Sequence, residues 1–327
     1  MGIFKPEGIY PAMLTPFDEQ GCVNETVLRQ MVNWLIDEGV NGLFPLGSVG
    51  EFIHLNFEEK VKIMEIVCDE ARGRVPVTPG TTESCAANCI KLTEKAKALG
   101  SAAVVIAPPY YLPVSQEQIE EHYEQVFEAC PDVPVILYNI PLFSAPIDYD
   151  VIKRLSRFSS VVGMKESSGN MVDFMHYMDK VRLIGAELNI LTGREEMLYA
   201  ALAVGAKGAM CATVGIVPEI MVGIYQAWNA GDKDRALKMQ FSVLQLIRAM
   251  FALPFPLGFK AALEIRGFNM GDSKRPLSDA DQYNLQKVKS RLEIIFKQLG
   301  IDKVELDYVY RGKSSAAGER AGVAKES

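Results

Sequence analysis

Short apolar segments alternate along the chain with longer segments whose apolar residues recur at helical spacing. The short segments are rich in β-branched residues and begin roughly 20–35 residues apart, the spacing of repeated strand–helix units. They cover residues 8–14, 40–46, 75–80, 102–107, 133–139, 160–165, 188–192 and 207–211. Most are apolar throughout, which is typical of parallel strands buried on both faces. The pattern predicts an α/β fold, a (β/α)8 TIM barrel, with a doubly wound open sheet as the alternative.

Helix-start signals lie between several of these segments. Asn24 precedes a run of apolar residues at helical spacing, as an N-cap residue does. Asn56 with Glu59, and Ser115 with Gln118, have the spacing of capping boxes. These signals predict helices that begin near residues 25, 57 and 116.

The strand pattern ends near residue 217. We predict a barrel over residues 1–217 and a helical extension over 218–300 that packs on it, with helices near 218–229, 233–250 and 278–299. Pro254 and Pro256 break the chain between the last two of these helices. Residues 301–327 form a tail that we expect to be partly disordered, because its final part, 311–327, is rich in Gly, Ala, Ser and charge.

Composition and charge exclude several classes of protein. The 34 Lys and Arg residues are outnumbered by 41 Asp and Glu, and the absence of a basic run argues against nucleic acid as a partner. No stretch approaches the roughly 20 apolar residues of a membrane helix, and the first residues lack the apolar core of a signal peptide. The six cysteines form no Cys-x-x-Cys pair, and the three histidines share no spacing. We therefore expect a cytoplasmic protein with reduced thiols and no metal site.

Polar residues at the ends of the predicted strands are the candidates for chemistry, because barrel active sites lie there. Lys165 ends the sixth predicted strand, and burial would favour its neutral, nucleophilic amine, which can form a Schiff base with a ketone. The alternative is a structural lysine paired with Glu166 or Glu51. Tyr138 ends the adjacent fifth strand, where its phenol can move protons, or it can be a core tyrosine.

Three further strand ends carry weaker signals. The turn from Gly47 to Glu51 lacks the Lys-Ser/Thr of a nucleotide-binding loop, yet its glycines allow backbone N–H groups to face a small carboxylate. Tyr110 and Tyr111 follow the fourth strand and are either site residues or an aromatic patch at the rim. Residues 193–196, Gly-Arg-Glu-Glu, end the seventh strand, where solvated acids at a helix start are the alternative.

Four motifs together resemble the dihydrodipicolinate synthase / N-acetylneuraminate lyase family of Schiff-base-forming, pyruvate-dependent lyases. They are Gly47-x-x-Gly-Glu51, Pro109-Tyr-Tyr111, Tyr138-Asn-Ile-Pro141 and Gly163-Met-Lys-Glu166. The resemblance runs from Pro11 to about Gly300. It implies a (β/α)8 barrel with a C-terminal helical extension, assembled as a homotetramer, that needs no cofactor beyond the covalent imine.

The resemblance also implies roles for individual residues. Lys165 would form the imine with pyruvate or another 2-keto acid, and Tyr138 would be the general acid/base. The turn at Gly47, Ser48 and Val49 would hold the pyruvate carboxylate, and the Ser48 hydroxyl would link Tyr138 to Tyr111. In family members that use this tyrosine, it enters from the neighbouring subunit.

The sequence departs from the synthases at the position of the second substrate. Phe143 stands where the synthases have an arginine for the carboxylate of aspartate semialdehyde, and an aromatic ring has no charge for that contact. Val49 replaces a threonine, and Ala212 stands where neuraminate lyases have a sugar-contacting serine. Glu195 and Glu196 match the acidic pair with which neuraminate lyases bind sugar hydroxyls. The remaining predicted substrate-binding residues are Gly193, Arg194, which could bind a distal carboxylate, and Met210.

These features favour an aldolase or lyase that cleaves a 2-keto-3-deoxy sugar acid to pyruvate and an aldehyde, so that the partners are a small keto acid and an aldehyde. One alternative is a 4-hydroxy-tetrahydrodipicolinate synthase, which condenses pyruvate with aspartate semialdehyde. Another is a dehydratase of keto-deoxy acids. An alternative of a different class is a non-catalytic keto-acid sensor on the same barrel.

Overall fold

A computed structural model of the chain describes residues 4–186 and 188–306. Six strands in these residues form one parallel sheet in the order β1-β6-β5-β4-β3-β2. They are β1 (Gly8–Pro11), β2 (Val104–Ile106), β3 (Val135–Asn139), β4 (Val161–Glu166), β5 (Asn189–Thr192) and β6 (Gly208–Cys211). Nearly every strand residue is buried, as the continuous apolar segments predict.

The prediction of eight regular strands is wrong at residues 40–46 and 75–80. There the chain makes isolated parallel bridges instead, from Ala12 to Phe44, from Leu43 to Val77 and from Gly80 to Val105. The physical reason is a set of prolines, which have no N–H to donate to a ladder. Three prolines in this region accept hydrogen bonds through their carbonyls: Pro45, Pro76 and Pro79. The two segments nevertheless connect β1 to β2, so the sheet is curled.

Helices alternate with the strands on the outside of the sheet. They are α1 (Glu25–Asp37), α2 (Phe57–Ala71), α3 (Ala86–Ala98), α4 (Gln116–Ala129), α5 (Tyr149–Leu155), α6 (Met171–Leu183) and α7 (Leu198–Ala203). Asn24 caps α1 by accepting a hydrogen bond from the Val27 N–H. The predicted capping boxes of α2 and α4 are both formed.

Four helices follow β6: α8 (Pro218–Asn229), α9 (Lys233–Met250), α10 (Leu257–Ile265) and α11 (Asp279–Leu299). Helix α8 contacts β1, and helices α9, α10 and α11 contact one another. The sequence predicts three of these helices but misses α10, because a proline inside a segment is typical of a break in a helix. Pro256 is in fact the N-cap of α10, and a helix start tolerates proline because the first N–H groups have no partner inside the helix.

Residues 307–327, which hold the end of the predicted tail, lie outside the described residues. In the part of the chain that the structure describes, no helix is long and apolar enough to cross a bilayer. All six cysteines are free thiols.

Candidate active site

Lys165 lies on β4 inside the sheet, in an aromatic environment. Its side chain is buried, and its register partner on β3 is Tyr138. The Lys165 Nζ is 4.2 Å from the centroid of the Tyr138 ring and 4.6 Å from that of Phe44. Over residues 4–186 and 188–306, no carboxylate lies within 4.0 Å of this amine. Lys165 is therefore a buried amine without an ion-pair partner in the described chain.

The two carboxylates considered as partners of Lys165 are engaged elsewhere. Glu51 forms a buried ion pair with Lys260 of α10 at 3.1 Å and accepts a hydrogen bond from Ser273 Oγ at 2.6 Å. Glu166 Oε1 accepts hydrogen bonds from Asn139 Nδ2 at 3.1 Å and from a backbone N–H. Burial raises the pKa of Glu166. The structural interpretation of Lys165 as an ion-paired lysine is thus not what the geometry shows.

A small cavity of about 60 Å³ reaches Lys165, with room for a molecule of a few non-hydrogen atoms. Its lining includes nine of the residues that the sequence predicts for the site: Ser48, Val49, Tyr138, Phe143, Lys165, Gly193, Arg194, Glu195 and Ala212. A larger cavity of about 370 Å³ is lined by Gly47, Tyr111 and Arg275, among others. The two cavities share Ser48, Tyr138, Ile140, Phe143 and Phe255. The larger cavity is therefore contiguous with the one at Lys165.

The turn after the second apolar segment is a short 3₁₀ helix, Ser48–Gly50, with Gly47 as its N-cap residue. A Cβ on Gly47 would lie 2.7 Å from Phe44 Cε1, and a Cβ on Gly50 would lie 2.9 Å from the Met13 carbonyl oxygen. Only glycine fits these two close approaches. The first N–H groups of a helical turn have no partner within it, so the amides of Ser48 and Val49 can bind an anion.

Ser167 is a site residue that the sequence reasoning missed. Its Oγ is buried and has no hydrogen-bond partner in the described chain, and it lines the small cavity with Lys165. A Cβ on Gly193 would lie 1.8 Å from this Oγ and 2.9 Å from Lys165 Cε. Gly193 thus lets both side chains approach the end of β5. The available signal was the period of a strand, since residues two apart share a face.

The charged residues that follow β5 have separate positions. Glu195 is buried, and its Oε1 accepts hydrogen bonds from the Ala212 and Thr213 N–H groups at 3.1 and 3.3 Å. Burial raises the pKa of Glu195. The alternative of a solvated acid at a helix start is therefore wrong for Glu195. Glu196 lies 3.5 Å from the Arg194 guanidinium and lines neither cavity, so the two acids do not form one pair at the site.

Three other predicted residues differ in exposure. Tyr111 is 94% exposed, has a φ of 78°, and contacts the larger cavity only. Phe143 is half-exposed and lines both cavities. Met210 is completely buried and lines neither cavity. Among the described residues, no group of three or more His, Cys, Asp or Glu could hold a metal ion.

The parallel α/β sheet carries a buried lysine, without an ion-pair partner in the described chain, beside a tyrosine on the adjacent strand, and both side chains line a cavity. Comparison with known proteins identifies the class of protein. Residues 5–295 match the model of the dihydrodipicolinate synthetase family, and the chain belongs to that family. It is a lyase of this family, and the non-catalytic sensor is no longer an alternative.

Two relatives by sequence carry the same name. The chain is 33% identical over 301 residues to the 4-hydroxy-tetrahydrodipicolinate synthase of Methanopyrus kandleri, covering 91% of this chain and 98% of the relative. It is 32% identical over 278 residues to the protein of the same name from Methanosphaerula palustris, covering 84% and 94%.

Solved structures share the fold. The dihydrodipicolinate synthase of Aquifex aeolicus is 27% identical with a TM-score of 0.84, covering 92% of this chain and all of that one. YagE, an E. coli K12 prophage protein of the dihydrodipicolinic acid synthase family solved in complex with pyruvate, is 28% identical with a TM-score of 0.82, covering 90% and 99%. The resemblance inferred from the four motifs is thus confirmed.

Proposed function

We propose that this enzyme forms an imine between Lys165 and the keto carbon of pyruvate or a larger 2-keto acid. The observation that carries the proposal is the buried Lys165 amine, which has aromatic neighbours, no carboxylate partner in the described residues and direct access to a cavity. The neutral amine of a lysine is its nucleophilic form, the one that attacks a carbonyl carbon. The complex of YagE with pyruvate supports the choice of keto acid.

The chemistry needs only groups of the chain and of the substrates. The lone pair of Lys165 Nζ attacks C2, the carbonyl oxygen leaves as water, and a protonated imine remains. Loss of a proton from C3 places an electron pair in an enamine, which attacks the carbonyl carbon of an aldehyde to form the C3–C4 bond. In the reverse direction, the electrons of that bond flow into the imine. Tyr138 beside the amine donates and accepts the protons, and we propose that no cofactor takes part.

The turn at Ser48 and Val49 is the proposed site of the keto-acid carboxylate. It lines the same small cavity as Lys165, and its first N–H groups are available to an anion. In the family arrangement, the Ser48 hydroxyl links Tyr138 to Tyr111. The 94% exposure of Tyr111 supports a homotetramer in which this tyrosine reaches the site of a neighbouring subunit.

We propose aspartate semialdehyde as the second substrate, which makes the enzyme a 4-hydroxy-tetrahydrodipicolinate synthase. The names of its sequence relatives support this assignment. After the C–C bond forms, the amino group of that substrate attacks C2 and displaces Lys165, which closes the ring and regenerates the amine. This replaces the sugar-acid lyase as the first choice, because Glu195 is engaged with backbone amides rather than paired with Glu196 at the cavity.

Phe143 keeps a second candidate open, the reversible cleavage or dehydration of a 2-keto-3-deoxy sugar acid. This residue lines both cavities and supplies no charge for a carboxylate, whereas a polyhydroxylated aldehyde needs none.

Two further parts of the proposal concern the closure of the sheet and the cellular location. We infer that the curled sheet is an (β/α)8 barrel, since the bridged segments at Phe44 and Val77 supply the two positions between β1 and β2. We also propose a cytoplasmic location, which the free thiols support.

The test is turnover of pyruvate with aspartate semialdehyde, measured beside turnover of pyruvate with D-glyceraldehyde and cleavage of 2-keto-3-deoxygluconate. We expect the first to have a kcat/KM at least ~10-fold above the others, about 1.4 kcal/mol of transition-state preference. Lys165→Met should abolish all three, and Lys91→Met on the surface of α3 should not. A preference for the sugar acid supports the second candidate, and turnover by Lys165→Met contradicts the imine.

A further inference from the structure

The larger cavity lies next to the small cavity that reaches Lys165. It has a volume of about 370 Å³ and shares Ser48, Tyr138 and Phe143 with the small cavity at Lys165. If the keto acid on Lys165 occupies the small cavity, as the proposed function requires, the larger cavity is the adjoining space for the aldehyde. The charged groups of the larger cavity are then the candidates for selecting the aldehyde.

Among the described residues, three with ionisable groups other than tyrosine line that cavity: Glu51, His54 and Arg275. The Glu51 carboxylate is already neutralised by Lys260 at 3.1 Å and accepts a hydrogen bond from Ser273 Oγ. Arg275 has no acidic partner within 4.0 Å in the part of the chain that the structure describes. It is exposed, and its charge also acts on the Asp281 carboxylate of α11, whose pKa is lowered first by hydrogen bonds from Ser278 and then by Arg275. Among the described residues, Arg275 is the one arginine or lysine that lines this cavity.

The position of Arg275 is fixed by the connection between α10 and α11, residues 266–278. Ser273 Oγ donates to Glu51 and accepts a hydrogen bond from the Arg275 N–H at 3.4 Å. The adjacent Lys274 forms an ion pair with Glu59 of α2 at 2.6 Å. Through Ser273 and Lys274, the connection is thus attached to Glu51, which follows the Ser48–Gly50 turn, and to Glu59 of α2.

A close backbone approach attaches the start of this connection as well. Gly271 has a φ of 62°, and a Cβ there would lie 2.0 Å from the Phe17 carbonyl oxygen. The Phe17 N–H donates to the Met270 carbonyl at 3.0 Å. Because these contacts join the C-terminal extension to the barrel, the extension contributes a side chain to the site.

We infer that Arg275 binds the carboxylate of the second substrate and is a specificity-determining residue of this enzyme. Phe143, at the cavity wall, supplies no charge, and the guanidinium fork of an arginine matches a carboxylate in a bidentate geometry. The inference rests on the proposed function, because it presupposes an imine at Lys165 that condenses with an aldehyde. Arg194 is the competing cation, but it lies 3.5 Å from Glu196 and packs on the ring of Phe251.

The test compares Arg275→Met with wild type at saturating pyruvate, with L-aspartate semialdehyde or uncharged D-glyceraldehyde as the varied substrate. We expect KM for the semialdehyde to rise roughly 10- to 100-fold, the loss of a charge-assisted hydrogen bond, while turnover of glyceraldehyde changes less than about twofold. Arg275→Lys should recover part of the affinity. Arg291→Met, an exposed arginine of α11 that lines neither cavity, is the matched control and should resemble wild type.

The outcomes separate this inference from the proposed function. An unchanged KM for the semialdehyde in Arg275→Met overturns the role of Arg275, as does an increase that appears in Arg194→Met instead. An enzyme that uses only uncharged aldehydes overturns it too. A borohydride-reduced pyruvate adduct on Lys165 in all of these variants would show that the imine chemistry stands in each case, whereas its absence from wild type contradicts the proposed function itself.

Discussion

Gly193 offers the sharpest structural test of the site, because one added methyl group meets two site side chains. A Cβ at this position would lie 1.8 Å from Ser167 Oγ and 2.9 Å from Lys165 Cε. Real Cβ atoms essentially never approach closer than 3.0 Å, so Gly193→Ala forces Ser167 to another rotamer and displaces the lysine. Overpacking of this kind costs about 1–3 kcal/mol of stability. A displacement of about 1 Å at a reacting amine can lower a rate by about 100-fold.

The assay is the rate of imine formation with pyruvate, measured by quenching with borohydride at timed intervals, together with the urea midpoint. We expect Gly193→Ala to form the adduct about 10- to 100-fold more slowly than wild type while it remains folded. Ser167→Gly in the same chain removes the closest contact and should restore much of the rate. The residual contact with Lys165 Cε predicts that the recovery is incomplete.

Gly215→Ala is the matched control. Its Cβ would lie 3.5 Å from the Ala12 carbonyl oxygen, an ordinary van der Waals distance, and it lies on the turn after β6 rather than in either cavity. Its adduct rate and urea midpoint should match those of wild type. If Gly193→Ala forms the adduct at the wild-type rate, the packing of Ser167 and Lys165 against β5 does not position the amine, and the account of this site is refuted.

Two further predictions concern buried charge. The Lys260–Glu51 pair, 3.1 Å apart, has an attraction of about 5 kcal/mol at an effective dielectric constant of about 20, and breaking such a buried pair costs about 3–5 kcal/mol net. Lys260→Met should therefore lower the free energy of unfolding in urea by that amount, and Lys260→Met with Glu51→Gln should recover about 1–3 kcal/mol of it; strictly additive losses would contradict the coupling. Burial lowers the pKa of His122 from 6.5 to about 4. Between these pH values the imidazole binds a proton in the unfolded chain but not in the folded one, so acid favours unfolding. The free energy of unfolding of wild type should therefore fall by about 3 kcal/mol as the pH falls from 6.5 to 4. His122→Leu should remove that part of the pH dependence and the exposed His176→Leu should keep it, and equal slopes in urea titrations of the two would refute the assignment.

The sequence was sufficient to predict that Lys165 and Tyr138 lie side by side on adjacent strands. Continuous apolar segments locate parallel strands, and adjacent strands in such a sheet bring their last residues together, which gives the register between these two residues. Ser167 could have been predicted in the same way, because it lies two residues after Lys165 and residues two apart share a face of a strand.

Other parts of the site depend on contacts that a one-dimensional pattern does not contain. Arg275 and Phe251 come from the C-terminal extension, more than 80 residues beyond Lys165 in the chain, and reach the site only through the packing of α9 to α11. The engagement of Glu195 with the backbone after β6 could not be predicted from the sequence, because these hydrogen bonds depend on how β5 and β6 pair. The prolines beside Phe44 and Val77 are present in the sequence, and their lack of an N–H donor argues against regular strands there. The continuous apolar pattern of the same segments nevertheless predicts strands.

Reduction of the enzyme with borohydride in the presence of pyruvate, followed by intact mass and peptide mapping, tests whether Lys165 forms the imine. We expect one reduced pyruvate per chain, located on Lys165, and none in Lys165→Met. An adduct on another lysine, or none with pyruvate or with longer 2-keto acids, would contradict the assignment of Lys165 as the amine that carries the substrate.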